Sequence, residues 1–286
     1  MTPFALGLVL VSAVTHATWN LLAKRVEGSV GFLWLVFAVT AALWAPLALL
    51  ALLVIRPALG PPTLVLVAGT AALNTLYFFL LTAGYRAGDL SLVYPLARAT
   101  GPLLATIAAI ALFGERPTAL AVAGALAIVT GALVLTGDPR QLRVRGAGRA
   151  ATFAVATGVV IAAYTLWDKQ AVSTFAIPPL IYDWCRNFGQ VLLVSPLAVP
   201  RRSDVARHWR EHRREVFGVA VLAPLSYILV LTALVVSPVS YVAPAREIGI
   251  LIGAAMGTRL LGESDPVRRL AGAAAMLVGI VALTLG

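Results

Sequence analysis

"SLVYPLARATGPLLATIAAIALFGE" (Ser91–Glu115) and "SYVAPAREIGILIGAAMGTRLLGE" (Ser240–Glu263) share one pattern: an apolar run long enough to cross a bilayer, with an arginine about a third of the way in. An arginine that deep in hydrocarbon costs roughly 2.5 kcal/mol or more. A chain that does this twice, in the same local context, has built the same element twice. Shifting the chain by 148 residues aligns 97–137 with 245–285, and 14 of the 41 positions are identical. The matches include Arg98 with Arg246, Gly101 with Gly249, Gly114-Glu115 with Gly262-Glu263, Gly124 with Gly272 and Gly131 with Gly279. The same offset pairs Trp19 with Trp167 and Asn20 with Asp168.

The composition places this repeat in a membrane. Of 286 residues, 60% are hydrophobic and 12% charged, about half the charge of a soluble domain. Mean hydropathy is +0.92. Ten segments read as spans, near 4–22, 31–54, 63–85, 90–112, 117–136, 151–168, 178–199, 216–236, 239–260 and 268–285. The sequence therefore predicts an all-α integral membrane protein with ten transmembrane helices, arranged as two inverted five-helix repeats around a central cavity. The first repeat spans 1–137, a basic linker 138–150, and the second repeat 151–286. Five is odd, so the second copy enters from the opposite face, the arrangement that lets a carrier alternate between two sides. The N-terminus has no basic leader before its apolar run, which argues for a first span and against a cleaved signal peptide.

The net charge of +10 does not point to nucleic acid, because the basic residues sit in connections. The connections after odd-numbered spans hold 16 of the 22 Lys and Arg, against three in the even connections and termini. That bias predicts cytoplasmic odd connections, extracytoplasmic termini and a multi-pass protein of the cell (inner) membrane. One cysteine, Cys185, leaves no internal disulfide and no cysteine zinc site, and no metal or cofactor is expected.

Polar residues inside spans face the bundle interior or water. The first span carries Ser12, Thr15, His16, Trp19 and Asn20 at helical spacing; the third carries Thr70, Asn74 and Tyr77. The fourth carries Ser91, Tyr94 and Arg98; the sixth Thr157, Tyr164 and Asp168; the seventh Asp183, Arg186, Asn187 and Gln190; the ninth Ser240, Arg246 and Glu247. The fifth and tenth carry scattered threonines and read as lipid-facing supports. Asn and His also serve as interhelical glue, at about 0.6 kcal/mol per bond, and the glycines following the arginines suit close helix packing. Pro95 and Pro244, just before the arginines, can kink their helices.

With these residues in view, the chain resembles the drug/metabolite transporter superfamily, in its EamA-type ten-helix branch. The resemblance rests on the two "GE" pairs with spaced glycines after them and on "HATWNLLAK" at 16–24. It implies two inverted five-helix repeats around a cavity, with the fifth and tenth helices outside, and transport of small metabolites, often export of amino acids or related compounds. Members often have cytoplasmic termini, whereas the loop charges here predict the opposite.

The expected function is a secondary transporter, by direction an exporter, moving a small polar metabolite with an anionic group, such as an amino acid or organic acid. Arg98, Arg186 and Arg246 stand against Asp183 and Glu247, a sum of about +1, and the planar guanidinium suits a carboxylate or phosphate. Arg98 and Arg246, each about 12 Å into the membrane from opposite faces, are the expected anion contacts, with Arg186 completing the site. The structural alternative pairs them with acids, Arg246 with Asp183 or Arg98 with Glu247. Asn20, Asn74 and Asn187 are candidate polar contacts, and Tyr77, Tyr94, Tyr164 and Trp167 candidate walls. His16 or the acids are candidates for a coupling proton; a counter-substrate is the other option. The expected partners are the metabolite and the lipid bilayer, with the chain a monomer or homodimer. A membrane-embedded enzyme would need a catalytic constellation, and no HExxH, GxSxG or CxxC pattern occurs. A non-transporting scaffold would not need midplane charges. An ATP-driven pump would need a Walker A loop, which is absent.

Overall fold

All ten apolar runs are helical in the computed structural model. It describes the backbone of residues 1–26, 29–88, 90–136, 147–261 and 266–286, and the side chains of these except 90, 91, 136, 254, 255, 257–261, 266 and 269. The helices are α1 (Pro3–Lys24), α2 (Val30–Ile55), α3 (Pro61–Ala87), α4 (Leu90–Phe113), α5 (Ala119–Thr136), α6 (Ala147–Lys169), α7 (Pro179–Ala198), α8 (Arg202–Glu211), α9 (Arg213–Val236), α10 (Val239–Ala245), α11 (Ile248–Leu261) and α12 (Pro266–Leu285). No strand occurs among the described residues. Helices are what such runs must form, because hydrocarbon offers the backbone no other hydrogen-bond partners. Six are long and apolar enough to cross a membrane: α1, α2, α3, α4 from Leu92, α6 extended to Thr174, and α9. The protein is an all-α membrane protein.

The helices pair in a two-fold pattern. α1 packs on α9 as α6 packs on α3; α4 packs on α6 as α11 packs on α1; α5 packs on α12, and α2 on α7. Shifting by 148 residues carries each contact into its mate or into itself. The same relation holds residue by residue. A methyl on Gly124 would meet the Gly279 carbonyl at 2.6 Å, and one on Gly131 the Gly272 carbonyl at 2.7 Å. These four glycines are the repeat-related pairs, exchanged across the α5–α12 seam. α5 and α12 approach backbone to backbone there and turn Leu120, Leu126, Leu277 and Val278 outward. Gly101 likewise rests on Ile161, and its mate Gly249 on Ala13.

The "GE" pair has a local cause. Gly114 ends α4 with φ +66°, a left-handed conformation that costs glycine least. The turn sends Glu115 to the start of α10, where its carboxylate accepts the N–H groups of Val239 (2.7 Å) and Ser240 (2.8 Å). Across the same junction, Lys169 donates to the carbonyls of Leu234 (2.6 Å) and Ser237 (3.1 Å). Both ends of the α9–α10 turn are thus pinned, beside a pocket of about 600 Å³ lined by Glu115, Lys169 and the end of α4. Gly262-Glu263 and the linker residues 138–146 lie outside the described residues.

Two expectations need correction. The ninth span is not one helix: it breaks at Arg246-Glu247, between α10 and α11. Pro244 has no N–H to give, and the chain tightens into three-residue bonds, Glu247 N–H to the Pro244 carbonyl (3.0 Å) and Ile250 N–H to the Glu247 carbonyl (2.9 Å). The repeat-related α4, with Pro95 and Pro102, stays continuous. The basic connection after the seventh span is not a plain loop, because it contains α8. That helix docks on the start of α2, where Ser29 Oγ donates to Asp204 Oδ2 (2.7 Å) and lies 2.9 Å from His208 Nε2. His208 is buried there against Phe32, with ring centroids 5.6 Å apart.

Candidate functional site

The polar stripes converge. Asp183, Arg186, Asn187 and Gln190 are all buried on one face of α7, as their spacing predicts. Arg186 Nε donates to Asp183 Oδ1 (3.1 Å), and Arg186 Nη1 to Gln190 Oε1 (3.1 Å). Asn187 donates to Asp183 Oδ2 (3.0 Å) and so holds the carboxylate for the arginine. Across the bundle, Arg98 Nε on α4 lies 3.0 Å from Glu247 Oε2 at the α10–α11 break. Both side chains are buried. They meet as an ion pair without the N–H directed at the oxygen.

Of the three midplane arginines, only Arg246 forms no ion pair among the described residues. Its guanidinium carbon lies 5.9 Å from the centroid of the Tyr227 ring, and that of Arg186 lies 4.4 Å from the same ring. Tyr227, on α9, therefore carries two cations at its ring, an arrangement favoured by the negative face of the aromatic system. Its hydroxyl donates to Asp168 Oδ2. Asp168 Oδ1 also accepts from Thr70 Oγ1 and from the Tyr182 hydroxyl, both at 2.8 Å. Asp168 is 1% exposed and forms no ion pair among the described residues.

The sequence-derived charge sum changes on this geometry. Asp168 belongs to the cluster, so three guanidiniums face three carboxylates, Asp168, Asp183 and Glu247, and the cluster is neutral when all are ionised. Arg98 takes Glu247 and Arg186 takes Asp183, which leaves Arg246 and Asp168 without ionic partners among the described residues. The repeat-related arginines are thus not equivalent, because Glu247 has no mate: the corresponding position is Ala99.

His16 on α1 lies within electrostatic range of Arg98 and Arg246. Tyr94 does so for Arg98 and Glu247, and Tyr77 for Arg98. Tyr77 and Tyr164 meet edge to face with centroids 6.1 Å apart, and Tyr164 lies 6.5 Å from Tyr227. His16, Tyr77, Tyr94, Tyr227 and Arg246 are only partly buried although they face one another between helices. Other candidates are held by the scaffold. Asn20 donates to the His16 carbonyl and Asn74 to the Thr70 carbonyl. Trp167 fills the notch at Gly69 and donates to the Leu66 carbonyl (2.8 Å). Tyr182 and Tyr227 were not among the candidates. Tyr227 sits in the most apolar long span, and Ser226-Tyr227 is the one adjacent polar pair after its charged first turn, the signal that marks it.

Residues 3–137 match the EamA-like transporter family. The first of the two copies is thus an EamA-like unit. Among solved structures, one titled "Crystal structure of protein" is similar in fold, with a TM-score of 0.72 at 17% identity over 98% of each chain. At that identity the likeness speaks to fold alone. No curated protein matches the chain. The family that this copy matches is one of transporters, which fits the apolar helices of the fold.

Proposed function

We propose that this protein is a secondary carrier for a small polar metabolite with an anionic group, such as an amino acid or organic acid, and that it works by alternating access. The observation that carries the reading is Arg246. It is a guanidinium at the interruption of a spanning helix, with no ionic partner among the described residues, partly open, and flanked by His16 and Tyr227. A partly buried cation without a counter-ion is costly, and a carboxylate or phosphate accepted through the planar fork offsets that cost. Arg98 and Arg186, each held by its own acid, contribute orientation and field rather than first contact. Tyr77, Tyr94 and Tyr164 form the walls.

The two five-helix copies, 1–137 and 151–286, are read as an inverted repeat joined by the basic linker 138–150. Exchanged glycine contacts and the two-fold helix pairing support this. The seams at Gly101 and Gly249 give each half a smooth face on which to rock. Loop charge places both termini outside the cytoplasm, in the cell (inner) membrane. Export as the direction rests on the resemblance.

A thermal-shift screen of carboxylates, amino acids and phosphate esters on the purified protein tests the cargo class, since a bound ligand stabilises the fold by mass action. Counterflow of the stabilising compound in vesicles then tests transport. Stabilisation by compounds lacking an anionic group, with none by those carrying one, would overturn the reading.

A further inference from the structure

Two groups in the central cluster lack ionic partners among the described residues, Asp168 and Arg246, and one side chain reaches both. The Tyr227 hydroxyl donates to Asp168, and the Tyr227 ring faces the Arg246 guanidinium at 5.9 Å. We propose that Asp168 is an exchangeable proton site, and that Tyr227 transmits its protonation to the anion contact at Arg246. The link to the anion rests on the carrier reading above; the proton site does not.

The hydrogen-bond inventory carries the argument. An ionised carboxylate only accepts, and Asp168 takes three hydroxyl donors: Thr70 and Tyr182 on Oδ1, and Tyr227 on Oδ2. A protonated carboxyl must donate one hydrogen. Thr70 and Tyr182 share Oδ1, so the proton enters at Oδ2, where the Tyr227 hydroxyl must turn from donor to acceptor. The Tyr227 O–H then turns away from Asp168 within the plane of its ring, while the guanidiniums of Arg186 and Arg246 stay at that ring, 4.4 and 5.9 Å from its centroid. The charge of the cluster changes in the same step. Neutral with Asp168 ionised, it carries one positive charge once Asp168 is protonated. An anion at Arg246 and a proton on Asp168 therefore favour each other.

The surroundings restrict the site to this residue. From α3 the facing group is Thr70, backed by Asn74; from α7 they are Tyr182 and Arg186, with Asp183 taken up by Arg186; from α9 it is Tyr227. On its own helix, Tyr164 is hydrophobically packed and Lys169 is directed at carbonyls of the α9–α10 turn. The repeat-related position holds Asn20, an amide that cannot titrate and that bonds back to its own helix. Only one half of the molecule thus carries the proton site.

Infrared difference spectra of the purified full chain, without cargo, recorded against pH, test the proposal. The expected result is a carboxylic-acid carbonyl band that changes with pH and is lost in Asp168→Asn. In Tyr227→Phe, which keeps the carboxyl and the ring, the midpoint moves by about half a pH unit or more. If Asp168→Asn does not fold, the Tyr227→Phe midpoint decides. No titrating band in the parent, an unchanged band in folded Asp168→Asn, or an unmoved midpoint in Tyr227→Phe would each overturn the proton site. None of these results touches the anion reading, which stands or falls on ligand binding at Arg246.

Discussion

Arg98 Nε and Glu247 Oε2 lie 3.0 Å apart, both buried, while Arg246, one residue before Glu247 and the repeat mate of Arg98, has no ionic partner among the described residues. The repeat supplies two arginines, and a single acid in the second copy pairs with one and leaves the other without an ionic partner among the described residues. Removing one partner of a buried pair strands the other, at a cost of about 3–5 kcal/mol. Glu247→Gln should therefore lower the unfolding midpoint of the purified protein strongly. Arg98→Met combined with Glu247→Leu should lower it less than Glu247→Gln alone, and thermal denaturation of the three proteins in one detergent checks this.

Glu115 acts as a cap supplied from another helix, its carboxylate on the N–H groups of Val239 and Ser240. Loss of a cap costs about 0.5–2 kcal/mol. Glu115→Ala should destabilise within that range and Glu115→Gln by less, since the amide keeps one acceptor oxygen. Denaturation midpoints for the two variants measure the difference.

The α5–α12 seam leaves no room at Gly124 or Gly279, where a methyl would sit 2.6 and 2.7 Å from the opposing carbonyls. Overpacking of a tight core costs about 1–3 kcal/mol. Gly124→Val should reduce the monodisperse fraction on size exclusion, and Gly148→Val, where a side chain meets open space, should not.

Docking of α8 on α2 should weaken in acid. Burial pushes the His208 imidazole below its ordinary value of 6.5, against the pull of Asp204. Burial would raise the Asp204 carboxyl, but the Ser29 hydroxyl, His208 and Arg207 outweigh it and hold it low. Both groups then bind protons more readily in the undocked chain, so the contribution of this contact is full above pH 6.5 and falls as pH drops through the lowered His208 value. Hydrogen exchange over residues 202–211 should speed up on acidification in the parent and lose most of that dependence in His208→Gln.

Much of this architecture is legible in the sequence because bilayer physics acts on single segments. Each span must be long, apolar and self-bonded, and the 148-residue repeat shows where the copies meet. The arginines are legible for the same reason, since a charge in hydrocarbon is costly wherever it sits. The pairing is half legible: Arg98 with Glu247 is one of the two pairings the sequence offers and it forms, whereas Arg246 with Asp183 does not, because Arg186 one turn along the same helix takes Asp183. α8 is not legible, as its stability comes from a buried histidine against a distant helix start. Tyr227 is hidden by its apolar neighbours. Asn74 and Trp167 look like cavity residues in a stripe, yet one bonds back to its own helix and the other fills a glycine notch.

Reporter fusions at Gly286 and near Arg207 check the orientation. Sixteen Lys and Arg in the odd connections predict an extracytoplasmic signal at Gly286 and a cytoplasmic one near Arg207. The contact of Ser29 with Asp204 puts the first and seventh connections on one face, and the fusions show which side that face is on.

The central claim is that Arg246 takes the anionic group of the cargo. The direct measurement is calorimetric binding of the anionic compound that stabilises the protein best, to the parent and to Arg246→Lys, with Arg98→Lys for comparison. Lysine keeps the charge and loses the planar fork. The account predicts that Arg246→Lys folds like the parent and binds at least about tenfold more weakly, a loss of about 1.4 kcal/mol. Parent-like affinity in both Arg246→Lys and Arg246→Gln would contradict it.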